Sequence, residues 1–129
     1  MKVKNIIIWI IRLVAVVILL QTLYFKFTAA PESVFIFTKL GIEPWGRIGT
    51  GIIELIASIL ILFPKTTIYG ALLAMGTMAG AIFSHLTILG IVVADDGGEL
   101  FVLAFIVFIS SSFLVYLNGN QLIKLFARS

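Results

Sequence analysis

The chain has 129 residues, of which 61% are hydrophobic and only 12% charged, with a net charge of +3 and no cysteine. A soluble domain keeps about a quarter of its residues charged, so a water-soluble enzyme is excluded and an integral membrane protein is indicated. The lack of cysteine excludes thiol–disulfide relays and iron–sulfur clusters held by this chain alone, and the scattered basic residues leave nucleic acid without support as a partner.

Polar residues and helix breakers cut out four apolar segments, at about 5–25, 46–63, 67–92 and 99–117. Each is close to the roughly 20 residues a helix needs to cross the hydrocarbon core. In the first, Lys2 and Lys4 precede an apolar run as they would in a signal peptide. That run is long, continues past Arg12 and lacks a small-residue cleavage pattern before Lys26, so it reads as a retained span.

The connection from Lys26 to Trp45, roughly 20 residues, is too long for a tight turn. Its apolar stretch 34–40, entered at Pro31 and Glu32 and halted by Gly41, reads either as a short helix in the membrane interface or as a loop folded over the bundle mouth. Pro31, Pro44 and Pro64 all fall between spans, and Gly97 and Gly98 separate the third from the fourth. Asn118, Gly119 and Asn120 end the fourth, and 121–128 forms a short amphipathic tail. A β-barrel would need alternating segments with a polar inner face, and the run 52–62 does not alternate. The expected fold is therefore all-α, a single domain over 1–129 built as a four-helix transmembrane bundle.

With four crossings, one side of the membrane carries Lys2, Lys4, Lys65, Lys124 and Arg128 and no acidic residue, which assigns both termini to the cytoplasm of a bacterial-type inner membrane. The outer side carries Lys26, Lys39 and Arg47 with Glu32, Glu43, Asp95, Asp96 and Glu99.

An ionisable residue inside a span costs roughly 2.5–3.5 kcal/mol on insertion, which singles out Arg12, Glu54 and His85. Arg12 is near enough to one edge to snorkel to phosphates. Glu54 is deeper and too short to do so. In the second span, positions 47, 50, 51, 54 and 58 share one helical face, with Gly49, Gly51 and Ala57 expected to admit a neighbouring helix. In the third, Gly70, Ala74, Thr77, Met78, Ala81 and His85 share a face, flanked by a notch of Gly76 and Gly80 suited to an internal contact or a homodimer. His85 lies near the depth of Glu54, and a contact between the two is expected, serving proton exchange with a bound redox carrier. The plainer reading of that contact is a structural hydrogen bond between helices. Lys26 and Arg47 are expected at the outer rim facing Asp95, Asp96 and Glu99, either closing a ring of charge over the pair or solvated among headgroups. No metal site is expected, since the acidic loop lacks spaced oxygen ligands.

The run from Arg47 through Thr50, Gly51 and Glu54 to Leu55, then Gly70–Ala71, then Met78, Gly80, Ala81, His85 and Leu86, resembles the DoxX and DoxX-like family of small four-helix bacterial membrane proteins. Arg12, Lys26 and the Phe-rich connection extend the resemblance over nearly the whole chain. It implies proximity to quinones, since the family takes its name from a subunit of a thiosulfate:quinone oxidoreductase, and a link to oxidative-stress responses. The resulting expectation is a quinone-interacting membrane subunit with no covalent cofactor. Glu54 and His85 would exchange protons, Arg12, Lys26, Arg47 and Thr50 would bind the ligand, and a partner protein would supply electrons. A non-catalytic scaffold or anchor is the alternative, followed by a small proton-linked transporter.

Overall fold

The computed structural model describes residues 2–92 and 98–119, apart from the side chains of Lys2 and Lys4. Five α-helices account for most of them: α1 (Lys2–Phe27), α2 (Pro31–Lys39), α3 (Trp45–Leu62), α4 (Thr67–Ser84) and α5 (Glu99–Leu117). Four helices, over Asn5–Phe27, Trp45–Leu62, Thr67–Leu89 and Glu99–Leu117, are long and apolar enough to cross a membrane. The third of these is α4 continued by a π-helical turn over His85–Leu89. It stops at Gly90, whose φ of +81° leaves the helical region, so the helix ends three residues before the expected 92.

The long helices form a ring in which α1 packs on α3 and α5, and α4 packs on α3 and α5. Each helix follows its predecessor around the ring with the opposite direction. Ala15, Val16, Leu19, Ala57, Ile61, Ala71, Ala74, Val107 and Leu114 fill the centre. The outward faces are lined by exposed Ile7, Leu13, Val17, Ile52, Ile56, Ile59, Val102 and Phe113, which is the pattern of a bundle whose surroundings are as apolar as its core.

Glycine admits the closest approaches. A Cβ at Gly70 would stand 2.6 Å from the Ala57 carbonyl oxygen and 2.7 Å from the Ile61 nitrogen, so α4 rests there on the backbone of α3. At Gly51 a Cβ would meet the Phe27 ring at 2.7 Å. Gly49, Gly76 and Gly80 have no such neighbour within 4 Å, contrary to the close packing expected at Gly49, and of the two readings of the Gly76–Gly80 notch the contact within the chain does not form.

The long connection is a helix, and it also folds over the bundle mouth, so the two expected alternatives merge. Pro31 supplies the first helical position of α2, and Gly41 terminates it with a φ of +79°. Ser33 and Phe37 are buried beneath it, and it contacts α1, α3 and the π turn. Asp95, Asp96 and the tail 121–128 lie outside the described residues.

Candidate functional site

A cavity of about 730 Å³ lies at the α2 end of the bundle, within the roughly 300–1,000 Å³ range of small-molecule sites. All five helices border it. Its walls are chiefly apolar, from Leu19, Phe37, Met78, Leu103 and Ala104, with polar groups from Thr22, Lys26, Thr50, Glu54, His85 and Glu99.

Glu54 is 1% exposed and lies nine residues along α3 from Trp45, or about 13 Å at 1.5 Å per residue. Its Oε1 accepts from Lys26 Nζ at 2.6 Å, and its Oε2 lies 3.3 Å from the Thr22 hydroxyl. That hydroxyl is also 3.0 Å from the Leu19 carbonyl oxygen, and its single proton serves one acceptor at a time. Lys26, whose side chain is 16% exposed, therefore turns inward onto Glu54 instead of lying at the rim. The reason is its face: Arg12, Ala15, Leu19, Thr22 and Lys26 follow one another at spacings of three and four along α1. A buried carboxylate needs a partner, and this lysine is the cation within reach.

Arg47, expected either in a ring of charge or solvated among headgroups, is buried elsewhere. Its Nε donates to Glu43 Oε1 at 2.7 Å, and its Nη1 donates to the Lys26 carbonyl oxygen at 2.5 Å. It ties the start of α3 to the end of α1 and does not border the cavity. Thr50 does border it, but donates its hydroxyl to the Gly46 carbonyl at 2.7 Å.

Arg12 is at the opposite end of the bundle. Its Nε donates to the Ile61 carbonyl at 2.9 Å, its Nη2 to the Leu62 carbonyl at 2.5 Å, and its guanidinium stacks over Trp9 at 3.8 Å. At 3% exposure it neither snorkels to phosphate nor reaches the cavity; it satisfies the last carbonyls of α3, which hydrocarbon would leave bare.

His85, 5% exposed, begins the π turn and borders the cavity. Its Nδ1 is 2.9 Å from the Ala81 carbonyl oxygen, and its ring meets Phe101 edge-on at 5.6 Å. Nε2 is buried with no hydrogen-bond partner. A carbonyl only accepts, so Nδ1 carries the hydrogen, and in the neutral ring Nε2 is left as a lone-pair acceptor. The expected hydrogen bond from His85 to Glu54 does not form: Glu54 is held by Lys26 and Thr22, and the two residues meet only as borders of one cavity.

Thr22 was not apparent from sequence as a site residue, although its position four before Lys26 on the inward face was a usable signal. Among the described residues no group of three or more His, Asp or Glu side chains could hold a metal ion.

Searches of curated proteins and of solved structures return no match. A family model does match over residues 10–112, a stretch that holds Arg12, Lys26, Glu54 and His85 alike: the chain belongs to the DoxX-like family.

Proposed function

We propose that this multi-pass membrane protein is a quinone-binding subunit of a redox assembly, with the head group held in the cavity beneath α2. The observation that carries the reading is the buried, unpartnered Nε2 of His85 on the same cavity as the Lys26–Glu54 pair. An orphaned polar atom on the wall of a cavity is expected where a ligand completes the site. A neutral Nε2 accepts from a hydroxyl, which a quinol has and a quinone lacks. Lys26, whose ammonium has three protons, supplies a donor for the second ring oxygen.

A quinol supplies two electrons and two protons when it is oxidised to a quinone. His85 takes one hydroxyl proton on Nε2, becoming imidazolium, and the Glu54 carboxylate takes the other. The chain has no cysteine-based carrier, so both electrons pass to a partner redox protein. The basic, acid-free side of the sequence supports a bacterial cytoplasmic membrane location with both termini inside.

The test is titration of the protein in nanodiscs with menaquinol and ubiquinol analogues kept in the reduced form. Binding should weaken at least about tenfold in His85→Ala and in Glu54→Gln. Unchanged binding in both variants would remove the assignment and leave the scaffold reading, in which Glu54→Gln lowers thermal stability alone.

A further inference from the structure

We infer that the cleft between α3 and α4 is the port through which the cavity is loaded from the bilayer, and that its ligand carries a single long apolar tail lying across Gly76 and Gly80. The inference rests on the quinone reading and adds the route and the shape of the ligand. At Gly70 the two helices touch backbone to backbone. Further along α4 they part: Gly76 and Gly80 are exposed, border the cavity, and have nothing within 4 Å of where a Cβ would stand. Thr50 and Ile53 form the α3 side of the same cleft, and Ile53 is exposed.

The cleft is apolar in effect although hydroxyls line it. Thr50 donates to Gly46, Thr77 to Leu73 and Ser84 to Gly80 at 2.7–2.9 Å, so each proton is already bound to its own helix. His85 Nε2, buried without a partner, is inside on the cavity wall. A ligand with its polar head inward and its hydrocarbon outward matches both ends. Entry along the bundle axis is obstructed by α2, whose Phe37 is buried over the cavity. On the α1–α5 side the cavity is bordered by Gln21, Phe25 and Leu103, side chains larger than the glycines of α4.

Binding of the reduced, quinol forms of a tail-less dimethoxy-methylbenzoquinone and of its decyl derivative would be compared in nanodiscs. Gly80→Leu has room to fold and fills the cleft, as does Gly76→Leu. Each should weaken the decyl compound at least about tenfold while holding the head-group compound within about twofold, and Gln21→Trp should change neither. The port is overturned if the decyl compound binds both leucine variants as it binds the unsubstituted protein, or if Gln21→Trp alone weakens it. If neither compound binds the unsubstituted protein, the quinone reading fails and takes the port with it.

Discussion

Lys26 Nζ lies 2.6 Å from Glu54 Oε1, joining the end of α1 to the middle of α3 through two charges that hydrocarbon would reject separately. Breaking such a pair from one side leaves the other charge uncompensated. Lys26→Met is expected to cost about 3–5 kcal/mol, because Glu54 is fully buried and cannot reach water. Glu54→Gln should cost less, since the lysine stem can swing toward the membrane surface. Thermal unfolding in detergent would show this order, and a Lys26→Met/Glu54→Gln double variant should recover most of the larger loss. Simple addition of the single losses would show that the pair is not coupled.

Arg12 caps α3 through two carbonyls and has no part in the cavity. Arg12→Lys keeps the charge but loses the fork, and Arg12→Ala loses both, so stability should fall in that order by about 1.5–3 kcal/mol per hydrogen bond removed. The ligand binding proposed for the cavity should be unchanged in the surviving folded protein. A loss of affinity in Arg12→Lys without a change in unfolding temperature would place Arg12 in the binding site after all.

The fold was legible because helical period, breakers and hydrophobic length agree: Gly41 and the prolines delimit the helices, and the polar stripe containing Glu54 faces inward. The partnerships were less legible. Arg12, Lys26 and Arg47 are all cations near span ends, and residue type alone does not separate one that caps a helix from one that neutralises a carboxylate. The distinction depends on which carbonyl or carboxylate the neighbouring helix presents, and that is set by the offset between α1 and α3. Gly76 and Gly80 show the same limit: a small-residue pair marks close packing or open space, and Gly70, six residues earlier, is the one that packs.

That contrast predicts opposite signs for one chemical change. Gly70→Ala pushes a methyl to 2.6 Å from the Ala57 carbonyl and should cost about 1–3 kcal/mol through displacement of α4. Gly76→Ala meets nothing and should gain about 0.5–1 kcal/mol from helix propensity. Melting temperatures that shift the same way in both variants would contradict the packing described.

Ser111 Oγ is buried in α5 with no hydrogen-bond partner, whereas neighbouring Ser112 donates to the Phe108 carbonyl at 2.8 Å and lies 3.3 Å from Met75 Sδ. Ser111→Ala should therefore be neutral or stabilising by up to about 1–2 kcal/mol, and Ser112→Ala mildly destabilising. Chemical denaturation of the two variants side by side would check the difference, and a marked loss in Ser111→Ala would mean the hydroxyl has a bonded partner.

The π turn at His85–Leu89 closes with the Gly90 amide donating to the His85 carbonyl at 2.7 Å, a wider coil than the α-helix that leads into it. A wide coil absorbs one surplus residue without displacing what precedes or follows it. The portion of the rod before His85 thus keeps the rotation dictated by its seam with α3, while the portion after it takes the rotation demanded by the roof.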